Sequence, residues 1–201
     1  MLPDNELSSE IISGVVIGAK ALTNSNLSDY EDGGVDLNDT SLGLRYQIWM
    51  GLLVGDSIVI TSTNGHSYTL HSGYGISEFS FSFDQNMRPV LAWVQGGVAK
   101  LQWFDSSLGI QVITDLGNTI LNPKVYLDDK RSLSNNSSDI ILGYFKSGNL
   151  YYRQQRDRYL IEYLLATDVY TMTNGVRSNE LVKIGMAGNL RLHFVVRNLN
   201  N

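Results

Sequence analysis

Cysteine is missing from the 201 residues, which excludes a disulfide framework, thiolate zinc sites and a cysteine nucleophile together and leaves the redox compartment open. Charge is thin, at 17% of residues, and its balance is acidic, with a formal net charge of -5. That removes the global basic field on which non-specific nucleic-acid binders rely, so no nucleic-acid partner is expected. No run approaches the roughly 20 apolar residues of a membrane-spanning helix, and no membrane span is expected. The opening Met1-Leu2-Pro3-Asp4-Asn5-Glu6-Leu7 has no basic stretch ahead of an apolar one, so no secretion signal is expected.

Proline is scarce, at 3, whereas glycine reaches 19 and tyrosine 11 among many Val, Ile, Leu and Thr. This is an inventory of strands and turns, and the expected fold class is all-β. A hydrophobic share of 43% supports a sizeable core, and the length suits one domain with a tail.

Two regions differ in charge. Nine acidic residues fall within the first 56 positions, against Lys20 and Arg45 alone. Residues 1–41 therefore read as an acidic N-terminal arm, with a short strand at Glu10-Ile11-Ile12-Ser13-Gly14-Val15-Val16-Ile17-Gly18 and loop chemistry from Asn24 to Asp39. Residues 42–201 read as a β-rich domain of repeated hairpins. Strands are predicted over 44–53, 57–62 and 67–71, with Asn64-Gly65 as a hairpin turn. Further strands follow over 78–84, 89–95, 98–105 and 110–114; over 124–127, 140–146, 149–155 and 159–165; and over 181–185 and 190–196.

The second and third groups repeat one another. Setting Trp93 against Tyr144, 51 positions on, aligns Val90-Leu91-Ala92-Trp93 with Ile141-Leu142-Gly143-Tyr144 and Gly97 with Gly148. Phe83-Asp84 resembles Leu127-Asp128 at a spacing of 44, and Gly148-Asn149-Leu150 recurs as Gly188-Asn189-Leu190 at 40. Periods of this length with about four strands each are what propeller blades produce, since stacked copies bury faces that a lone sheet exposes. The expectation is propeller-like blade repeats; the alternative is a β-sandwich with an extended N-terminal arm.

No spacing forces reactive groups together. His66 falls at a hairpin tip, and neither His71 nor His193 supplies the converging set that a metal needs; no metal and no cofactor are expected. Asp128-Asp129 and Glu31-Asp32 are adjacent pairs that would point to opposite faces of a strand, which does not suit glycoside hydrolysis. Neither a Gly-x-Ser-x-Gly elbow nor a phosphate-binding Gly-x-x-x-x-Gly-Lys-Ser/Thr loop occurs. No catalytic residue is assigned and no enzyme is expected.

One segment concentrates interface chemistry. Residues 149–159 set Arg153, Arg156 and Arg158 among Tyr151, Tyr152 and Tyr159, and these six are the candidate protein-interface residues, since Arg and Tyr combine large contact area with directional hydrogen bonding. The plainer reading is a polar strand face whose arginines pair with Asp128 and Asp129. The charge asymmetry suggests that the acidic arm of one subunit reaches the Arg-rich strand of another in a homo-oligomer.

Read together, Phe83-Asp84-Gln85-Asn86-Met87-Arg88-Pro89, Leu91-Ala92-Trp93-Val94-Gln95, Leu127-Asp128-Asp129-Lys130-Arg131 and Leu150-Tyr151-Tyr152-Arg153-Gln154-Gln155-Arg156-Asp157-Arg158-Tyr159 resemble a family of virion structural, tail-associated proteins of short-tailed bacteriophages. The resemblance covers roughly residues 78–196. It implies a non-enzymatic structural component of the tail that bridges the tail tube or nozzle and the tail fibres by multivalent docking, with other tail proteins (nozzle, adaptor or fibre) as partners. It implies a place in the virion tail after assembly in the host cytoplasm. The alternative function is a carbohydrate-binding, host-receptor module in which Trp93, Trp103 and Tyr152 stack on sugars; a third is a glycan-degrading enzyme.

Overall fold

The computed structural model describes residues 28–35, 46–62, 65–84, 88–128, 139–173, 176–186 and 192–199. It is all-β. Three four-stranded antiparallel sheets follow one another, each a meander whose strands pair in chain order. The first sheet comprises β1 (Ser28–Val35), β2 (Tyr46–Val54), β3 (Ser57–Ser62) and β4 (Ser67–Ser72). The second comprises β5 (Ile76–Phe83), β6 (Pro89–Gln95), β7 (Val98–Asp105) and β8 (Ile110–Gly117), and the third β9 (Ile120–Asp128), β10 (Asp139–Lys146), β11 (Asn149–Gln154) and β12 (Tyr163–Ala166). A short hairpin of β13 (Met172–Thr173) and β14 (Val176–Arg177) precedes a two-stranded fourth sheet of β15 (Asn179–Met186) and β16 (Leu192–Asn198).

The sheets stack in sequence order, and period-2 alternation decides which side chains enter which layer. On β6, Leu91 and Trp93 join Trp49, Ile58, Ile60, Phe79, Phe81 and Phe83 between the first and second sheets. The intervening Val90, Ala92 and Val94 face the other way, meeting Ile140, Leu142 and Tyr144 between the second and third. Phe145 on β10 turns to the next layer, with Leu181 and Phe194 of the fourth sheet. Strands β6 and β10 are therefore apolar on both faces, whereas β3 alternates, its buried set being Ile58, Ile60 and Ser62.

The same contacts recur from sheet to sheet. The first strands lie alongside one another, β1 by β5, β5 by β9 and β9 by β15. At the second junction the Glu78 carboxylate accepts the Asn122 backbone N–H at 2.7 Å. At the third, the Asn122 side-chain oxygen accepts the Leu181 N–H at 2.5 Å. Glu78 and Asn122 are both buried and stand 44 positions apart, the spacing that relates Asp84 to Asp128. The second-to-third-strand turns also correspond: Gly96-Gly97 and Ser147-Gly148 each hold two consecutive positive φ values, as a type I′ hairpin turn requires.

Counting back from those turns, and from the Gly55-Asp56 turn between β2 and β3, places Gly51, Ala92 and Gly143 at one shared position in β2, β6 and β10. A Cβ on Gly51 would lie 2.7 Å from the Phe81 ring on β5, and one on Gly143 2.8 Å from Ile184 on β15. Each second strand thus carries a small residue, and at both glycines it seats a bulky side chain from the first strand of the next sheet.

Strand limits agree with the expected ones at β6 and β7. They agree at β3 too, most others shift by a few residues, the β13–β14 hairpin has no predicted counterpart, and two stretches differ outright. Residues 28–35 lie inside the span read as loop, yet they form β1, antiparallel to β2 with a bulge between Asp32 and Gly34. The expected strand over 159–165 begins only at Tyr163. The rest of the 1–41 arm, the predicted strand at 10–18 and Asn64 of the hairpin turn lie outside the described residues.

Candidate protein interface

The candidate segment enters as β11, paired with β10 through Leu142 and Arg153, Gly143 and Tyr152, and Tyr144 and Tyr151. Alternation splits its tyrosines. Tyr151 lies beside Tyr144, rings stacked at 6.2 Å. Tyr152 points to the opposite face and stacks on Tyr163 at 4.8 Å, with Phe194 of the fourth sheet at 5.9 Å.

β11 stops at Gln154, where a single 3-10 turn, Gln155–Asp157, begins. Arg158 and Tyr159 then adopt φ of 52° and 58°, a left-handed pair costly for residues with a Cβ. Backbone bonds from Arg158 N–H to the Gln155 carbonyl (2.7 Å) and from Tyr159 N–H to the Gln154 carbonyl (3.0 Å) hold it. The reversal drives the Tyr159 ring into the core, edge-on to Trp103 with centroids 5.1 Å apart.

Each arginine meets an acid of its own chain. Arg153 donates from Nε to the Tyr144 hydroxyl (2.8 Å), from Nη1 to the Tyr159 carbonyl (3.2 Å) and from Nη2 to Glu162 (3.1 Å). Glu162 also accepts from Lys146 Nζ at 2.8 Å and from the Tyr144 hydroxyl at 2.5 Å. Burial alone would raise the Glu162 carboxyl, but the bonds from Lys146, Tyr144 and Arg153 outweigh it and bring it down to about 2. Burial and the bond to Glu162 push the Tyr144 phenol well up, so it stays protonated and keeps donating.

Arg156 pairs with Asp139, whose strand neighbour across β9 and β10 is the buried Asp128. Arg158 reaches further, to Asp105 at the end of β7 in the second sheet, at 2.5 Å. The Ser107 hydroxyl and N–H also donate to Asp105, at 2.5 and 2.9 Å. The Ser107 bonds, with help from Arg158, hold this carboxyl below its ordinary value against the opposing effect of burial. Between the two arginines' anchor points, Gln155 accepts from the Ile140 N–H (3.2 Å) and donates to the Phe104 carbonyl (3.4 Å). The turn therefore ties the third sheet to the second.

Of the six residues singled out in the sequence, Tyr159 is buried, Tyr151, Tyr152 and Arg153 are half-buried, and Arg156 and Arg158 are exposed but paired. The direct pairs are with Glu162, Asp139 and Asp105; of the partners expected from sequence, Asp128 adds to the field of Asp139 on Arg156, and Asp129 lies outside the described residues. No sequence signal marked Glu162, and only the repeat marked Tyr144.

Open apolar surface lies next to this clasp. Leu160, directly after the turn, is 80% exposed, followed by Ile161 and by Leu164 and Leu165 on the edge strand β12. On the matching edge of the second sheet, Leu108, Ile110 and Ile113 are also exposed. The Arg158–Asp105 pair joins the turn bearing Leu160 to the one bearing Leu108. Trp93 and Trp103 are buried in the core, so neither ring is open to a sugar. His66 directly precedes β4, His71 lies on β4 and His193 on β16, and no group of three or more metal-ligating side chains occurs among the described residues.

Comparison of the chain with protein-family models, curated proteins and solved structures gave no match.

Proposed function

We propose that this chain is a non-enzymatic structural component of a short-tailed bacteriophage tail, built of blade-like repeats, that bridges the tail tube or nozzle and the fibres by docking in several copies. The observation that carries the docking role is the set of exposed apolar side chains on β8 (Ile110, Ile113), on β12 (Leu164, Leu165) and just ahead of β12 (Leu160, Ile161). Edge strands with open hydrogen-bonding groups and contiguous apolar side chains are costly to leave in water and serve as contact surfaces. The blade reading draws on the recurring contacts, namely first strand beside first strand, an acceptor side chain bonded to the next sheet's backbone, and a small residue seating the next sheet. A sandwich of two sheets supplies one junction, whereas these contacts repeat along the chain.

The arginines enter this reading as internal ties, since each already carries a carboxylate partner. Docking then falls to the apolar rim, and a modest contact repeated over several copies sums to durable attachment. The tail assignment itself rests on the resemblance over roughly residues 78–196.

Imaging of an intact particle carrying a small tag on this chain tests it. Density between the tail tube and the fibres is expected. A position at a fibre tip, or saturable sugar binding on a glycan array, would overturn the bridging role in favour of a receptor binder. Leu164→Asp and Ile113→Asp, on the exposed rim, should leave the fold intact and abolish incorporation into particles.

A further inference from the structure

The fourth strand of each four-stranded sheet forms one edge of the stack, and the three such strands differ. β4 presents Ser67, Thr69 and Ser72, with Ser67 and Ser72 already bonded to Thr61 and Ser57 on β3. β12 has only four residues. β8 has eight, with neither proline nor lysine, and carries a single charge, Asp115. Among the described residues it pairs with β7 alone, and an edge so lightly guarded is a template for another strand. Alternation turns Val112 and Thr114 toward the third sheet, where Val112 packs on the shared core and Thr114 accepts from Trp103 Nε1 at 2.9 Å. Gln111, Ile113 and Asp115 take the opposite face and are all exposed, Ile113 at 59%.

We infer that β8 pairs antiparallel with β8 of a second copy, about a two-fold axis that passes by Ile113 perpendicular to the sheet. The inference rests on the reading of this rim as a contact surface, and names what covers it. Two strands related by such an axis keep the same face, so odd-numbered residues oppose odd ones and even oppose even. Of the registers this permits, one sets Ile113 against Ile113, Val112 against Thr114 and Gln111 against Asp115 of the other copy. The Gln111 amide then donates to the one carboxylate of the strand, twice over by symmetry. Sliding by two residues in either direction sets Asp115 against Gly109 or Ile113 instead, and sliding further one way brings the two Asp115 carboxylates together, like charge on like charge. Residues 110–115 pair one-to-one with β7, so the segment is regular where the second copy joins it. Opposed β-branched side chains and an amide facing a carboxylate both stabilise neighbouring strands. A contact made by one surface on both partners closes at a dimer and does not grow into a fibre. The axis also keeps the stacking direction, which turns the third sheet's edge, with Leu164 and Leu165 exposed, toward its own counterpart.

Two measurements on the full chain test it. Analytical ultracentrifugation should show a concentration-dependent dimer, with Ile113→Asp sedimenting as a monomer. Gln111→Glu, which sets a second acid against Asp115, should weaken association by about tenfold or more, and adding Asp115→Gln to it should restore the dimer. Since the protein has no cysteine, single variants test the register. Mild oxidation should link Ile113→Cys chains in pairs. Ile110→Cys, at a similarly exposed position but about 20 Å from its counterpart in this register, should stay unlinked. A monomer at every concentration, indifference to Gln111→Glu, or equal linking at both positions would overturn the pairing. The pairing and the tail reading fail separately. A monomeric chain whose incorporation into particles is still lost in Ile113→Asp overturns the pairing and leaves the docking rim to another protein, whereas a dimer that never enters particles supports the pairing and removes the tail.

Discussion

The junction between the second and third sheets and the junction between the third and fourth are built on one plan and finished differently. Both carry an acceptor side chain bonded to the next sheet's backbone, Glu78 to Asn122 and Asn122 to Leu181. The first adds, among the described residues, a core of thirteen buried ones from Val90 to Tyr159, and a clasp in which Arg158, Gln155 and Tyr159 reach across to Asp105, Phe104 and Trp103. The second has a smaller cluster among the described residues, Phe145, Leu150, Tyr170 and Leu181, with buried Ile184 against Gly143 and half-buried partners such as Phe194 and Val196. A shared polar bond thus sets the geometry of stacking, while apolar area sets how firmly each sheet is held.

The largest expected effect separates the two junctions. Trp103→Ala removes a buried ring at the clasped junction and should cost about 3–5 kcal/mol. Phe194→Ala, at the thinner junction, should cost no more than about 2 kcal/mol because its ring is only half-buried. Urea denaturation of both variants checks the ratio; equal losses would mean that the fourth sheet is held as firmly as the second. Gly143→Leu comes next. Its Cβ would press on Ile184 and Phe194, and overpacking of this kind costs about 1–3 kcal/mol. Hydrogen exchange should show the loss concentrated in β15 and β16, with the first sheet unchanged.

The Glu162 network gives a pH-dependent prediction at the β10, β11 and β12 end of the clasp. Its carboxyl falls from 4.5 to about 2 in the folded chain, so its stabilisation is fully present above about pH 4.5 and is lost as pH drops toward 2. Glu162→Gln should therefore lower stability at pH 7 by on the order of 2 kcal/mol and flatten the acid limb. The two proteins should converge near pH 2 in denaturant titrations. A constant gap across that range would show that the loss comes from packing and not from charge.

Much of the clasped junction was legible in the sequence, and the reason lies in its turns. Strands β6 and β7 are joined by Gly96-Gly97, a two-residue turn whose chemistry fixes both strand ends, and the limits read from sequence agree there. The 51-residue alignment of Trp93 with Tyr144 matches second strand to second strand, and the 44-residue alignment of Asp84 with Asp128 matches the ends of first strands. The Gly188 repeat does not correspond, because Gly148 joins a second strand to a third whereas Gly188 falls between β15 and β16. β1 was missed since Asp29-Tyr30-Glu31-Asp32-Gly33-Gly34 shows no period-2 apolar signal, and its pairing with β2 supplies what local preference does not. The late start of β12 was missed because Arg158 and Tyr159 take left-handed φ without a glycine to announce it. The arginine partners were out of reach for another reason: Asp105 lies 53 positions from Arg158, and charge patterns in one dimension carry no information on contacts made across two sheets.

The smallest expected effect has the opposite sign. Tyr159 is 1% exposed, and its hydroxyl has no hydrogen-bond partner among the described residues. Burial pushes its phenol well above the ordinary range, so it sits neutral in the core. An unpartnered buried hydroxyl is a cost, whereas the ring that carries it is a gain through its contact with Trp103. Tyr159→Phe keeps the ring and removes the cost, so it should leave stability unchanged or raise it by about 1 kcal/mol. Tyr159→Ala, by comparison, should lose about 3 kcal/mol or more. A clear loss in Tyr159→Phe would instead locate a partner for the hydroxyl at this junction, and would move part of the clasp's strength from apolar area to a polar bond.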